Sequence, residues 1–201
     1  MWPLLGLSVL ALAIICDRAM FYSALDFPSA QQTTALNTAL ATRDVAVLAA
    51  ALPPEHPVFG PFFSELRKLG ETCAVAENES RQEVLGVMAQ EITSSLDSRL
   101  PLLNVIVRVS PLVGLLGTIL GMINTFSRLA TAQGGVDLIV LADGIWQALI
   151  TTAAGLIIAI PVLLIHYLFT TRKRRVLDAL ERISGAVFLL ADIPKESGNE
   201  N

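Results

Sequence analysis

The stretch SPLVGLLGTILGMINTF, residues 110–126, decides the fold of this 201-residue chain. It lies inside a run of 19 residues, between Arg108 and Arg128, that contains no Asp, Glu, Lys or Arg. At about 1.5 Å per residue, a helix of that length spans about 28 Å, which is close to the thickness of the hydrocarbon core of a bilayer. The stretch therefore predicts a membrane-spanning helix.

Two further runs have the same character. Residues 144–171 lack Asp, Glu, Lys and Arg, and residues 1–16 are uncharged. Only 16% of the chain is charged and its mean hydropathy is +0.61, whereas about a quarter of a soluble domain is charged. These features predict an all-α integral membrane protein with three transmembrane helices, and they exclude an ordinary soluble enzyme. The first run lacks a basic start and a small-residue cleavage pattern, so we expect a retained anchor rather than a cleaved signal.

The distribution of Lys and Arg predicts the orientation. Arg18 follows the first run and the cluster Arg172-Lys173-Arg174-Arg175 follows the third, whereas the connector between the second and third runs has neither residue type. The positive-inside rule then places the N-terminus outside and the C-terminus inside. The predicted segments are transmembrane helix 1 (1–22), a cytoplasmic helical region (23–100), transmembrane helix 2 (101–128), a short external connector (129–143), transmembrane helix 3 (144–171), and a cytoplasmic C-terminal helix with a disordered tail (172–201).

The sequence of the cytoplasmic region predicts helices and no strands. Prolines at positions 53, 54 and 57 interrupt it, because proline breaks a helix interior. After them, helical spacing predicts a packing stripe of Val84, Val87, Met88, Ile92 and Leu96.

Small and hydroxyl residues line one face of the second transmembrane helix. Their spacing of i, i+3, i+4, i+7 and i+11 aligns Gly114, Gly117, Thr118, Gly121 and Thr125. Such faces let helix backbones approach closely in lipid. The spacing leaves two interpretations open, a tight helix contact and a polar interior lined by Thr118 and Thr125.

The third transmembrane helix has a similar face of small and hydroxyl residues. Ala148, Thr152, Gly155 and Ala159 recur at helical spacing, with Gln147 and Thr151 beside them. Pro161 falls within the same run, where neighbouring helices can satisfy the carbonyl that it frees. Polar side chains in hydrocarbon are costly unless they pair or line water, so the two matching faces imply a shared polar lumen or a buried partner helix.

Composition also excludes several classes of function. A net charge of −4 and a pI of about 5.2 argue against a nucleic-acid binder. The sequence contains no nucleophile–base pair, metal-ligand spacing or phosphate-binding loop. We therefore expect no enzymatic activity, no metal and no cofactor.

Together, residues 110–123 (SPLVGLLGTILGMI) and 144–161 (GIWQALITTAAGLIIAIP) resemble the MotA/TolQ/ExbB proton-channel family, and the ExbB/TolQ branch most closely. The resemblance extends to the layout of the whole chain. It implies a homopentameric ring in the bacterial inner membrane that encloses an ExbD/TolR-like single-span partner carrying an intramembrane Asp. Proton flow would drive motion that passes to a TonB/TolA-like protein.

The resemblance also assigns residues. Thr118 and Thr152 match the threonines of the two family motifs and are expected to line the pore, together with Gln147 and Thr151. The expected helix-packing residues are Gly114, Gly117, Gly121, Ala148, Gly155 and Pro161. Gln147 departs from the family, in which Glu is frequent at this position, and an amide cannot titrate. The chain alone should therefore not conduct protons. We expect the partner to supply the acid; the alternative is an assembly that no longer couples to protons.

Two other classes of function stay open, a passive membrane scaffold and a subunit of a small-molecule permease. The coupling ion, H⁺ or Na⁺, stays open as well. The ordinary pKa of histidine, about 6.5, would suit a proton relay at His166, but its position near the Arg172 cluster favours a hydrogen-bonded role at the membrane interface.

Overall fold

Five α-helices account for nearly all of the chain that the computed structural model describes, namely residues 2–25, 58–71, 75–131 and 138–191, with residues 34 and 38. The helices are α1 (Trp2–Ala24), α2 (Gly60–Glu71), α3 (Val75–Asp97), α4 (Leu100–Thr131) and α5 (Leu138–Ala191). These described residues contain no strand. The tail predicted to be disordered and most of residues 26–57 lie outside the described residues.

Three of the helical stretches are long and apolar enough to cross a membrane, in α1, α4 and α5. This confirms the prediction of an all-α protein with three potential spans. The structure divides into two units. The membrane unit comprises residues 2–25, 99–131 and 138–171, and the α2–α3 unit comprises residues 58–71, 75–98 and 172–191.

A backbone break at Arg99 separates α3 from α4. Arg99 has a φ of +65°, in the left-handed region that L-residues rarely adopt. The Ser98 amide donates to the Ser94 carbonyl on one side of the break, and the Leu103 amide donates to the Arg99 carbonyl on the other. The backbone hydrogen bonds that follow α3 therefore stop before Arg99, and those of α4 begin at its carbonyl.

The core of the membrane unit joins α1 to α4 and α5. Its fully buried members are Ala11 and Ile14 of α1, Leu100, Leu103 and Ile106 of α4, and Val162 of α5. Lipid is as apolar as these side chains, so their association depends on van der Waals packing rather than on the hydrophobic effect.

Polar and aromatic contacts fasten the C-terminal end of α1. Asp17 Oδ1 lies 2.6 Å from Arg99 Nη1, and Asp17 Oδ2 lies 2.9 Å from Arg18 Nε. The Tyr22 ring stacks on the Phe169 ring of α5 at a centroid distance of 5.2 Å. The charges at this end of α1 are therefore paired, and the helix is tied to both other spans.

The α2–α3 unit has its own apolar core. Phe59, Phe62 and Phe63 are buried at the start of α2, and Leu85, Ile92 and Leu96 are buried on α3. The predicted stripe on α3 was partly wrong, because Val84 and Val87 are 44% and 55% exposed. The helical spacing is compatible with burial of either of two neighbouring faces of α3, and in the structure the buried face is the one that contains Leu85.

Leu103→Ala should destabilise the membrane unit by about 2 kcal/mol, at the low end for a buried leucine, because the change leaves a cavity while lipid supplies little transfer term. Thermal unfolding in detergent measures the effect. Leu102→Ala is the matched control, since Leu102 is 41% exposed and Leu103 is 0% exposed. Equal shifts in the two variants would contradict this description of the core.

Candidate functional site at the contact between α4 and α5

Small residues form the contact between α4 and α5 within the membrane unit. Gly155 lies against Ser110 and Gly114, and Gly121 lies against Ala148. Nearer the connector, Gly144 lies against Thr125. As the residue number rises along α4, the number of the facing residue on α5 falls, so the two helices run antiparallel.

The two backbones touch at the centre of this contact. A Cβ atom added to Gly155 would lie 2.7 Å from the Ser110 carbonyl oxygen and 3.2 Å from the Gly114 Cα. A Cβ atom on Gly114 would lie 2.9 Å from the Thr151 carbonyl oxygen. Backbone atoms cannot swing aside as a flexible side chain can, so glycine is required at both positions for this close approach.

Two threonine hydroxyls of α5 cross the contact to one carbonyl of α4. Thr151 Oγ1 lies 3.3 Å and Thr152 Oγ1 3.2 Å from the Gly114 carbonyl oxygen. The Thr151 hydroxyl also lies 2.7 Å from the Ala148 carbonyl oxygen. In hydrocarbon, such bonds across helices are favourable and satisfy groups that would otherwise be costly to bury. The contact therefore combines close packing with polar pairing.

The hydroxyls of α4 bond to their own helix. The Ser110 hydroxyl donates to the Ile106 carbonyl at 2.8 Å, and the Thr125 hydroxyl donates to the Gly121 carbonyl at 2.9 Å. Both residues are buried, with 0% and 6% of their surface exposed. Thr118 likewise donates to Leu115, at 2.7 Å. A serine or threonine that bonds to the preceding turn carries no unsatisfied polar group into lipid.

Thr118 and Thr152 lie on the same flank of the helix pair. The contact line runs through Gly114 on α4 and Ala148 on α5. Because each residue turns the helix by about 100°, four residues make one full turn plus about 40°. Thr118, four residues after Gly114, and Thr152, four residues after Ala148, therefore each lie about 40° from this line. In an antiparallel pair, equal displacements fall on one side. Thr118 also lines an open apolar groove of about 540 Å³ with Ile119, Met122, Ile123 and Phe126. The structure thus leaves this flank accessible to another helix.

Gln147 and Pro161 lie away from the contact. Both are exposed on α5, and the Gln147 amide makes no hydrogen bond within the described residues. By the same helical geometry, Gln147 falls about 100° from Ala148 on the flank opposite to Thr118 and Thr152. The structure therefore does not bring all four predicted pore-lining residues together.

The contact includes residues that the sequence predictions did not assign to the site. Ser110 and Gly144 continue the two small-residue faces, since Ser110 lies four residues before Gly114 and Gly144 lies four residues before Ala148. Extending the spacing by one turn at each end would have found them. No carboxylate belongs to residues 109–127 or 144–171, so this pair of helices offers hydroxyls and amides but no titrating acid.

Known proteins resemble this chain in sequence. The sequence model of the MotA/TolQ/ExbB proton channel family matches residues 57–182. A putative biopolymer transport protein, ExbB-like 3, of Synechocystis is 31% identical over 209 residues, covering 94% of this chain and 88% of the relative. The biopolymer transport protein exbB1 of Vibrio cholerae is 42% identical over 101 residues, and the Tol-Pal system protein TolQ of Pseudomonas aeruginosa is 37% identical over 132 residues. The matches cover 50% of this chain and 44% of the Vibrio protein, and 65% of this chain and 53% of the Pseudomonas protein.

Gly155→Ala should destabilise the pairing of α4 and α5 by about 1–3 kcal/mol, as overpacking does elsewhere, because its Cβ atom meets backbone. Thermal unfolding in detergent is the measurement. Gly6→Ala is the control, since a Cβ atom at Gly6 meets no atom within 4 Å. A Gly155→Ala variant as stable as the Gly6→Ala variant would be incompatible with the close approach described above.

Proposed function

We propose that this chain, which belongs to the MotA/TolQ/ExbB proton channel family, is the ring-forming subunit of an ExbB/ExbD-type or TolQ/TolR-type motor driven by the proton-motive force. Family membership makes it part of an energy-transducing membrane complex. The proposed roles of individual residues rest on the geometry of α4 and α5.

The observation that carries the proposal is the chemistry of the α4–α5 pair. It presents hydroxyls on an accessible flank, at Thr118 and Thr152, but holds no carboxylate in residues 109–127 or 144–171. A proton path through hydrocarbon needs an ionisable relay. The chain is therefore proposed as the wall of the path, and the acid as an intramembrane Asp on an ExbD/TolR-like single-span partner.

The proposed wall contributes hydrogen bonds and excludes lipid. A threonine hydroxyl donates to an ionised carboxylate and accepts from a protonated one, so Thr118 and Thr152 can contact the partner's acid in both states. Thr152 already donates across the helix contact to the Gly114 carbonyl. A carboxylate that replaces this acceptor would form the stronger, charge-assisted bond.

Assembly and orientation follow as further parts of the proposal. A ring, a pentamer as in the family, would turn the accessible flank of each α4–α5 pair toward a shared lumen that encloses the partner helices. The basic cluster at residues 172–175 supports a cytoplasmic C-terminus and the uncharged start of the chain an external N-terminus. Such a ring would sit in the bacterial inner membrane and energise a TonB/TolA-like protein for outer-membrane transport or envelope integrity.

A passive scaffold is the second candidate, and one observation favours it. The hydroxyls of Thr118, Thr125, Thr151 and Thr152 all bond to carbonyls within the membrane unit. Those bonds suffice to explain the threonines as residues that hold the helices together, with no role in proton transfer. The experiment that separates the two functions must therefore remove a hydroxyl while it keeps the packing.

Thr118→Val and Thr152→Val should each lower proton-driven work at least several-fold, because valine keeps the shape of threonine but cannot hydrogen-bond. The measurement is energy-dependent transport, or detergent resistance of the envelope, in cells that express the variant with its partner. Co-purification of the two chains reports whether the complex still assembles.

Thr170→Val is the matched control for these variants, because the one hydrogen bond of the Thr170 hydroxyl within the described residues goes to the His166 carbonyl, one turn earlier on α5. Thr152→Ser should restore activity, since it restores the hydroxyl. Full activity in both valine variants, with the complex assembled, would favour the scaffold and rule out the pore assignment.

Gln147→Glu should be tolerated if water reaches the exposed side of α5 at this position, which lies on the flank opposite to the proposed lumen, because a carboxylate there would then stay solvated. Assembly with the partner and activity in cells are the measurements. Gln147→Leu serves as the comparison, since it removes polarity at similar size. Loss of assembly in Gln147→Glu but not in Gln147→Leu would mean that the position packs in a dry contact.

A further inference from the structure

A small pocket opens between the start of α2 and the C-terminal half of α3, within the α2–α3 unit. Its volume is about 260 Å³. The residues that line it are Val58, Pro61, Phe62, Met88, Glu91, Ile92 and Ser95. Neither the proton path nor the helix contact in the membrane unit uses these residues.

The pocket is apolar at its base and is large enough for one aromatic side chain, since a cavity of about 150 Å³ already holds benzene. Phe62 and Ile92 are 2% and 5% exposed, and Met88 is half-buried above them. Pockets that enclose small molecules usually measure about 300–1,000 Å³, so this one is small for a metabolite. A methionine wall also adapts its shape to different apolar guests. The geometry therefore fits a single large apolar side chain.

An unpaired carboxylate lies among the residues that line the pocket. Glu91 is exposed and has no salt-bridge partner among the described residues. Two other carboxylates of this unit are paired, Glu65 with Lys68 at 3.1 Å and Asp97 with Lys173 at 2.5 Å. A guest whose apolar side chain fills the pocket would therefore gain an ion pair if its neighbouring residue were basic.

We propose that this pocket binds the cytoplasmic flank of the single-span partner, through one large apolar side chain next to a Lys or Arg. The proposal rests on the proposed function, which supplies such a partner and places α3 in the cytoplasm. By the positive-inside rule, the cytoplasmic flank of a membrane helix is rich in Lys and Arg. Glu91 lies six residues, or about 9 Å along the helix, before the end of α3 that precedes the second span.

Charge makes a second copy of this chain a poor occupant. Acidic residues outnumber basic ones two to one between residues 23 and 100, and the whole chain carries a net charge of −4. Like charges that face each other across an interface are unfavourable. The chain has a basic cluster of its own at residues 172–175, but Lys173 in it already pairs with Asp97. A basic flank on the partner complements Glu91, and this favours the partner over a neighbouring subunit as the guest.

Photo-crosslinking in the intact complex tests the proposal. Met88 is replaced by p-benzoylphenylalanine in the full chain, which is co-expressed with its single-span partner. Mass spectrometry should map the crosslink to the cytoplasmic flank of the partner. The control places the same photo-reactive residue at Val84, which is exposed on α3 but does not line the pocket. A second placement at Ser95 repeats the measurement with Met88 intact.

Charge reversal tests the carboxylate. Glu91→Lys should lower the crosslink yield about twofold to fivefold, the range expected for a solvent-accessible ion pair. Exchanging the partner's basic residue for Glu should restore the yield. Glu83→Lys is the matched control, because Glu83 is exposed on the same helix and does not line the pocket.

Crosslinks from both placements to a second copy of this chain or to lipid would overturn the proposal. An assembled complex without any crosslink, or with equal yields from Glu91→Lys and Glu83→Lys, would overturn it too. These outcomes are distinct from a failure of the proposed function. In that case the crosslink to the partner persists while Thr118→Val and Thr152→Val leave proton-driven work unchanged.

Discussion

Backbone-to-backbone contact between Gly114 and Gly155 is the constraint on which the membrane unit depends. In lipid, two apolar helices gain nothing from expelling water, so they pair only where their surfaces approach closely enough for dispersion and interhelical hydrogen bonds. The contact provides both, because the missing side chains bring Thr151 and Thr152 within reach of the Gly114 carbonyl. The same approach also sets which flank of the helix pair carries Thr118.

A proton path needs a lining that excludes lipid and a group that titrates, and in the proposed function the α4–α5 contact provides only the lining. Residues 110–125 and 144–155, which form the contact, contain no ionisable side chain, so the contact itself stays electrically neutral whatever the pH of either compartment. A neutral contact has no charge of its own to desolvate, and in the proposed function its packing would not need to change when a proton passes. Under the proposed function, titration would then be confined to one group on a second chain.

The sequence predicted the parts of this structure that follow from composition and period. The uncharged runs predict three apolar helices, and the glycine spacing predicts which faces of α4 and α5 meet. Three features depend on tertiary packing and could not be predicted from composition or helical spacing. They are the left-handed backbone at Arg99, where glycine is the usual residue, the ion pair of Arg99 with Asp17, and the burial of Leu85 in place of Val84. Gln147 falls on the flank opposite to Thr118, which residue spacing along one helix could not reveal without its partner helix.

The Thr152 hydroxyl links the packing of the site to its proposed chemistry. In the chain alone it donates to the Gly114 carbonyl at 3.2 Å, a long and neutral hydrogen bond. An ionised carboxylate of a partner would accept the same proton in a bond about twice as strong, whereas a protonated carboxylic acid would compete less well. Each protonation of the partner would then return the hydroxyl to Gly114 and each deprotonation would withdraw it. A dry, fully bonded resting contact is therefore compatible with a working proton path, because the exchange of one acceptor for another leaves no polar group unsatisfied in the membrane.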